Sequence, residues 1–228
     1  SAMDLKAVLE HLESAGTAQN RKIYRRHGAG ENLYGVSFAD LGALAKQIKK
    51  DQTLAEALWR TGNHDARMLA TMIADPKTIS TDTLRGWAGD LDNYVLTDAL
   101  SSLAAATPFA MELMRAWTPS EDEWVGRAGW MLLAQIAMRQ ADLADAFFLD
   151  YLAQIEAQIH SRKNRVRDAM NSALIAIGIR NTALKQAAVQ SAERIGVVRV
   201  DHGETGCKTP DACGYIEKTW QRKAAKAK

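Results

Sequence analysis

Apolar side chains recur every three to four residues along most of the chain, in stretches of about 10 to 18 residues separated by polar, glycine or proline breaks. Residues 93–103 are typical, because at helical spacing they separate into two stripes. The apolar stripe contains Val95, Leu96, Ala99, Leu100 and Leu103, and the polar stripe contains Tyr94, Thr97, Asp98 and Ser101. Almost nothing alternates with a period of two, and only residues 197–200 read as extended chain. The spacing predicts an all-α protein.

The N-terminal part combines a predicted helix at residues 4–14 with a basic segment. Four cations fall within six residues of that segment, and they are Arg21, Lys22, Arg25 and Arg26. Three glycines then predict a loop before residue 37. Ser37 is a suitable N-cap, with the acidic Asp40 three residues later, so the next helix is predicted to run to about residue 50. Its inward side chains are predicted to be Phe38, Leu41, Leu44, Ala45 and Ile48.

Four later stretches align as repeats and are predicted to be helices. They begin at His64, Tyr94, Trp124 and Asn164, with starts 30, 30 and 40 residues apart. Each follows another amphipathic stretch, so the unit is a helical hairpin whose apolar side is buried by stacking, as in a solenoid. The fourth position of the aligned helices is Arg67, Thr97, Arg127 and Arg167. A curved stack would bring Arg67, Arg127, Arg167, Tyr94, Trp124 and Asp98 to its concave wall. A globular helical bundle is the alternative.

Bulk composition excludes several classes of protein. The hydrophobic fraction of 47% supports a core, and the longest uncharged run, residues 99–111, contains Pro108 and is too short to span a bilayer. No membrane segment or signal peptide is expected, and two cysteines fit a reducing cytoplasm better than a disulfide scaffold. Ser1-Ala2 ahead of Met3 is expected to be a cloning remnant. The whole chain, residues 1–228, is predicted to be one helical-repeat domain, with residues from about 197 onward as a loop and basic tail.

Charge is distributed unevenly along the chain. Residues 17–50 carry seven basic and two acidic side chains, residues 51–157 carry seven and sixteen, and residues 158–228 carry fourteen and six. Basic segments on both sides of an acidic middle suggest a polyanion held from two sides, although solvated faces and a basic tail would give the same counts. Three guanidinium groups in one column suit phosphate oxygens. The alternative is salt bridging, of Arg67 to Asp65 and of Arg167 to Asp168.

Other candidate chemistry is sparse. Asp98 beside an aromatic ring could stabilise a developing sugar cation, or it could simply favour the helix dipole. The spacing of Cys207 and Cys213, with His202 nearby, matches no standard zinc motif, so that run is interpreted as a loop packed over the end of the stack and no metal is predicted. No phosphate-binding loop, dinucleotide fingerprint or HExxH motif occurs.

Four places in the chain, between about Arg21 and Ile195, resemble the AlkD-type DNA alkylation repair proteins, which are bacterial DNA glycosylases built from HEAT-like helical repeats. They are the basic segment leading into residues 33–37, the run from Tyr94 to Asp98, the Trp-x-x-Arg-Ala run at 124–128, and the helix at 166–177. In two places the sequence departs from that family. Tyr94 stands where the family usually has Trp, and Ser172 where a second Trp is expected.

The resemblance implies a HEAT-like solenoid that binds double-stranded DNA, including alkylated or distorted DNA, and excises cationic N-alkylated purines without a cofactor. The resemblance implies three catalytic residues. Asp98 would stabilise the sugar cation, Arg127 would hold a backbone phosphate and Tyr94 would contact the deoxyribose. The predicted DNA-binding residues are Arg25, Arg26, Arg67, Trp124, Arg127, Lys163, Arg165 and Arg167. A monomer in the bacterial cytoplasm, associated with the nucleoid, is expected. The alternatives are a non-catalytic DNA-binding member of the family and a protein-interaction scaffold.

Overall fold

The computed structural model describes residues 3–228, so the predicted remnant Ser1-Ala2 lies outside the described residues. These residues form thirteen α-helices and one 3-10 helix, with no strand among them, and the all-α prediction is confirmed. The first seven helices are α1 Leu5–Ala15, α2 Ala18–Arg26, α3 Phe38–Ile48, α4 Gln52–Arg60, α5 His64–Ile73, α6 Thr81–Gly89 and α7 Tyr94–Ala105. The others are α8 Ala110–Trp117, α9 Glu123–Arg139, α10 Asp145–Gln158, the 3-10 helix Ile159–Ser161, α11 Asn164–Gly178, α12 Thr182–Ile195 and α13 Ala212–Lys226.

The starts of the predicted repeat helices are reproduced. Helices α5, α7 and α11 begin at the predicted residues, and α9 begins one residue earlier than predicted. Asn63 and Asn93 explain two of these starts, because each side-chain carbonyl accepts the backbone N–H three residues later, at 3.0 Å. Such N-caps satisfy a donor that the helix itself leaves unpaired.

The helices group into two compact units. The first unit contains residues up to 109 together with 203–205, and the second contains residues 110–202 and 206–228. In the first, α5 packs against α3, α4 and α7 around fully buried side chains such as Leu69 and Leu100. In the second, α9 packs against α8 and α11 with Trp130 fully buried, and α10 packs against α12 with Phe148 fully buried. Each large apolar side chain buried in this way contributes about 1.5–3 kcal/mol.

One sequence prediction about local structure, the inward position of Phe38, is wrong, and one helix was not predicted. The basic segment forms a helix, α2, capped by Thr17, whose hydroxyl accepts from the Asn20 amide at 3.1 Å. Phe38 was predicted to point inward but is 61% exposed, because it is the first residue of α3 and lies outside the packed face. Residues 197–200 form no regular element. The remaining α3 stripe is oriented as predicted, with Leu41 and Leu44 buried.

The second half of the predicted C-terminal loop and tail is helical, which corrects the sequence interpretation. Helix α13 packs on α11 and α12 and buries Ile216 completely. Gly178 makes this approach feasible, since a Cβ there would lie 2.7 Å from the Ile216 side chain. The indole N–H of Trp220 also donates to the Gly178 carbonyl at 2.9 Å. The basic residues near the C-terminus therefore belong to a packed helix of the second unit.

Candidate nucleic-acid interface

Helix α7 in the first unit exposes only part of its predicted polar stripe. Thr97 and Ser101 are buried, and their hydroxyls donate to the carbonyls of Asn93 at 2.7 Å and Thr97 at 2.9 Å. Tyr94 and Asp98 are half-buried and lie one turn apart. The two residues to which the resemblance assigned sugar chemistry are therefore the ones on this stripe that keep a partly accessible surface.

Tyr94 is joined to the basic N-terminal segment through His27, the residue that follows α2. The Tyr94 hydroxyl hydrogen-bonds His27 Nδ1, and the two ring centroids lie 5.8 Å apart at an angle of 56°. The ring centroid of Tyr24, on α2, lies 5.9 Å from that of His64 at the start of α5. The first unit thus gathers two tyrosines and two histidines beside the N-terminal ends of α5 and α7, a cluster that sequence spacing did not indicate.

His64 is only 8% exposed and borders two cavities, of about 220 Å³ and 240 Å³. Burial lowers the pKa of its imidazole, with Asp65 and Asp92 opposing that shift. Burial also raises the pKa of the Tyr24 phenol, and the negative charge of Asp65 adds to that rise. Both side chains are therefore held neutral near pH 7.

Asp65 organises the loop between α2 and α3. The carboxylate is fully buried and accepts the backbone N–H groups of Tyr34 at 2.6 Å, Gly35 at 3.0 Å and Val36 at 2.8 Å. The carbonyl of Val36 in turn accepts the Tyr24 hydroxyl at 2.5 Å. Gly35 has a φ of 81°, and a Cβ there would meet Arg21 at 2.7 Å, so only glycine fits this turn.

Arg67 does not pair with Asp65. Its guanidinium lies over the indole of Trp59, 4.9 Å from the ring centroid, and 4.0 Å from the carboxylate of Asp90. Its Nε donates to the Trp59 carbonyl at 3.1 Å. Asp90 also accepts the Trp59 indole N–H at 2.9 Å. Arg67 is thus largely engaged in packing α4 against α5, and the partner suggested from sequence was wrong.

Arg127, in the second unit, is 3% exposed and forms an ion pair with Asp168 at 2.9 Å. The same Nη1 donates to the Arg165 carbonyl at 2.9 Å, which ties α9 to the first turn of α11. Asp168 was suggested as a partner of Arg167, but Arg167 instead donates to the carbonyls of Arg199 at 2.9 Å and Arg162 at 2.8 Å.

In the second unit, His202 and residues 206–213 contact α11. Thr209 donates to Asp168 at 3.1 Å, and His202 Nε2 bonds the Thr209 hydroxyl at 2.8 Å. Because the Thr209 hydroxyl donates its proton to Asp168, it can only accept a hydrogen bond from His202. The ring proton of His202 therefore lies on Nε2, and Nδ1 accepts from Arg165 at 3.3 Å. A chain of hydrogen bonds through His202 and Thr209 therefore connects Arg165 to Asp168, the ion-pair partner of Arg127.

The first turn of α11 is the most basic helix start in the described chain. Lys163 is the N-cap residue and makes no side-chain capping hydrogen bond, and the first turn carries no acidic residue. Lys163 is exposed, whereas Arg165 and Arg167 are half-buried. Glu123, from α9, accepts the backbone N–H of Arg165 at 3.2 Å.

The remaining predicted DNA-binding residues lie at helix ends. Trp124 is half-buried at the start of α9. Arg25 and Arg26 are exposed in the last turn of α2, and Arg25 lies 3.2 Å from the carboxylate of Glu31. Among residues 3–228, no three His, Cys, Asp or Glu side chains come together in a way that could hold a metal ion. None of the described helices is both long and apolar enough to cross a membrane.

Comparison with known proteins gives a consistent result. A family profile described as DNA alkylation repair enzyme matches residues 8–216. Uncharacterized proteins of Listeria innocua and Listeria monocytogenes are each 30% identical over 224 residues, covering 96% of both chains. A solved structure superposes with a TM-score of 0.89 at 31% identity, covering 97% of this chain and 95% of the other. That structure represents a new family of proteins related to the HEAT-like repeat DNA glycosylases, with affinity for branched DNA structures.

These similarities extend over almost the whole chain and confirm the HEAT-like helical-repeat fold that the resemblance implied. The profile also reaches into α13, beyond the end of the resemblance found from sequence. On this evidence the chain belongs to the DNA alkylation repair enzyme family.

Proposed function

We propose that this protein binds double-stranded DNA through its phosphates and prefers branched or otherwise distorted DNA. Membership of a DNA repair family supports DNA as the ligand, and the affinity for branched DNA named for the similar solved protein supports the preference. The basic segments at α2 and at the start of α11 supply the cations.

The first turn of α11 is the observation that carries this proposal. Helix N-termini hold a partial positive charge and normally attract carboxylates. Here the positions around that end are Lys163, Arg165 and Arg167, with no acidic residue in the turn. The Glu123 carboxylate, which accepts the Arg165 N–H, offsets only part of the charge of these three cations. A phosphate would therefore be attracted by both the cations and the helix end. A phosphate backbone therefore fits this turn better than any neutral ligand does.

Salt dependence of binding tests the proposal. We expect the affinity for a four-way junction to fall steeply with salt and the slope of log K against log salt to become shallower by about 2 in Lys163→Ala/Arg165→Ala, at about 0.9 per phosphate contact. The control is Lys46→Ala/Lys77→Ala, which removes two exposed cations from the first unit and should leave the slope unchanged. Equal slopes in all three proteins would contradict the assignment to α11, and salt-independent binding would contradict phosphate recognition itself.

Base excision is a second candidate function, favoured by the half-buried Asp98 one turn from Tyr94. In this reaction water adds to the sugar C1′ as the bond to N9 of the alkylated purine breaks. The base leaves neutral and the additional proton of water passes to solvent. A cationic purine is already a good leaving group, so a carboxylate that stabilises the sugar cation supplies the main help.

Release of 7-methylguanine from duplex DNA tests this second candidate. We expect release above the spontaneous rate and a decrease of about 100-fold in Asp98→Asn, which keeps the shape of the side chain but removes its charge. The matched control is Asp82→Asn, a change of the same kind in the first turn of α6. If release does not exceed the spontaneous rate, while junction binding remains salt-sensitive, excision of this base is excluded and the binding proposal stands.

A further inference from the structure

Helix α13 has one face packed against the second unit and the opposite face in solvent. The inner face is fixed by Ile216, which is fully buried, and by Trp220, whose indole N–H donates to the Gly178 carbonyl at 2.9 Å. The ammonium group of Lys223 donates to the Ile179 carbonyl at 3.1 Å and lies 5.3 Å from the centroid of the Trp220 ring. These contacts hold α13 against the C-terminal end of α11 and leave its other face open.

The open face carries one aromatic ring and three cations, which we call the outer stripe. Its members are exposed, follow one another at intervals of three or four residues, and are Tyr215, Lys218, Arg222 and Lys226. This spacing places them on one side of the helix. The single acidic residue of α13, Glu217, pairs with Lys185 of α12 at 3.3 Å. The three cations of the stripe make no ion pair within residues 3–228.

The helix dipole does not account for the outer stripe. Cations are favoured in the last turn of a helix, which in α13 contains Lys223 and Lys226. Lys218 lies near the middle of the helix, where the dipole gives it no such support. Like charges four residues apart also destabilise a helix, and the stripe contains two such pairs, which share Arg222. A bound polyanion would offset this repulsion.

The spacing of the three cations suits the backbone of DNA. Successive cations are four residues apart, which is about 6 Å along the helix, so the three span about 12 Å. One strand of DNA places a phosphate about every 3.4 Å of duplex axis, so about three to four phosphates face a stripe of this length. Each cation can therefore contact a different phosphate.

Two other kinds of partner suit the outer stripe less well. A helix that lies in a lipid surface needs an outward apolar face, whereas the apolar face of α13 is packed on α11 and α12. A protein interface is usually anchored by well-packed residues near its centre, whereas the ring of Tyr215 stands at one end of the stripe. The stripe offers charge with little apolar contact, which is typical of phosphate-backbone binding.

The outer stripe lies at the opposite end of α11 from its basic first turn. The chain that leads into α13 follows α11, since Thr209 bonds Asp168 near the start of α11 and Ile216 meets Gly178 at its end. Helix α11 has 15 residues and is therefore about 22 Å long. The two groups of cations are thus separate contacts at least about 20 Å apart along α11, which equals about six base pairs of duplex.

We propose that the outer stripe of α13 is a second DNA-contact surface, which holds the phosphates of a duplex segment at least about six base pairs from the phosphate bound at the start of α11. This inference rests on the proposed DNA binding and adds a second surface to it. The family profile ends at residue 216, so all three cations of the stripe lie beyond the matched region. The second surface is therefore a feature of the C-terminal part of this chain.

Salt dependence of four-way-junction binding tests the second surface. The α13 triple variant is Lys218→Ala/Arg222→Ala/Lys226→Ala. We expect it to make the slope of log K against log salt shallower by about 2.7, at about 0.9 per phosphate contact. Combining it with the double variant at the start of α11 should decrease the slope by about the sum of the two effects, because distant sites without shared partners act independently.

The matched control removes the same amount of charge from the first unit. It is Lys6→Ala/Lys46→Ala/Lys77→Ala, three exposed cations whose loss should leave the slope unchanged. The α13 triple variant should fold, because its substitutions are exposed and alanine favours helix, and thermal unfolding of both triple variants verifies this.

Lysine acetylation gives a second measurement that requires no variant. In the natural protein, junction DNA should protect Lys218 and Lys226 from an N-hydroxysuccinimide ester of acetic acid, because their ammonium groups contact phosphate. Lys46 and Lys77, which are exposed in the first unit, should react equally with and without DNA. Mass spectrometry of the digested protein measures the acetylated fraction at each lysine.

The outcomes separate this inference from the proposed function. An unchanged slope in the α13 triple variant, or Lys218 and Lys226 that stay reactive in the complex, overturns the second surface, and the proposed function stands if the α11 double variant still lowers the slope. An equal decrease in the control variant indicates an effect of net charge and also overturns it. If the slope is unchanged but the α13 triple variant alone fails to bind phosphatidylserine vesicles, the stripe is a membrane-binding surface instead. Salt-independent DNA binding by the natural protein removes both proposals.

Discussion

Arg127→Ala is expected to lower the free energy of unfolding by about 3–5 kcal/mol, the cost of removing one partner of a buried ion pair. The guanidinium is almost completely buried, and its partner Asp168 would keep its charge in a site with little access to water. Thr209 would remain as a hydrogen-bond donor to Asp168, but one hydroxyl does not replace a cation. Urea unfolding of the two proteins at the same pH measures the difference.

A double-mutant cycle distinguishes the ion pair from a simple loss of packing. Arg127→Met keeps most of the side-chain volume, and Asp168→Asn keeps the acceptor for Thr209. Each single change should cost about 3–5 kcal/mol, whereas the double variant should cost clearly less than the sum, because no isolated charge remains. Additive costs would indicate that the two side chains stabilise the protein independently, contrary to the 2.9 Å contact between them.

The same variants bear on the role of Arg127 in DNA binding. The resemblance implied that its guanidinium holds a phosphate, and this stays a prediction. The ion pair and the bond to the Arg165 carbonyl instead favour a residue that positions the first turn of α11. A stable Arg127→Met/Asp168→Asn variant that retains the natural salt slope would support positioning, whereas a slope shallower by about 1 would support direct phosphate contact.

Helical periodicity was sufficient to predict most of the fold. The aligned starts at His64, Tyr94 and Asn164 were correct because asparagine caps and apolar spacing are local signals. Helices α2 and α13 were missed since their sequences are dominated by charge, and their apolar faces are narrow. Ile216 is the single fully buried apolar anchor in α13, and one residue produces no periodic pattern.

The candidate site was less predictable, because its contacts connect residues far apart in the chain. Sequence neighbours suggested Asp65 for Arg67 and Asp168 for Arg167, whereas both carboxylates bind groups 29 to 41 residues away. Local sequence gives the charge of a side chain but not its partner. The cluster around His27 and His64 was missed for the same reason, since only the packing of α2 near α5 and α7 brings these rings together.

Asp65→Asn is expected to destabilise the protein by about 3 kcal/mol or more, because a fully buried carboxylate that accepts three backbone N–H groups is replaced by a side chain with one acceptor. The new amide group would face a backbone donor, and at least one N–H among residues 34–36 would lose its partner. Asp40→Asn, at an exposed position in the first turn of α3, is the control and should change stability by less than about 0.5 kcal/mol.

Hydrogen exchange would show whether the loss of stability in Asp65→Asn begins in the loop of residues 34–36, which the Asp65 carboxylate holds. In the natural protein the amides of Tyr34, Gly35 and Val36 should exchange slowly, although they belong to no helix, because Asp65 holds all three. In Asp65→Asn they should exchange faster, ahead of the buried amides of α5. The Val36 carbonyl also accepts the Tyr24 hydroxyl. Release of this loop should therefore loosen the ring of Tyr24, which lines the 220 Å³ cavity beside His64. If the three amides exchange as slowly in Asp65→Asn as before, the loop is held by packing and not by the carboxylate, and the ring of Tyr24 does not depend on Asp65.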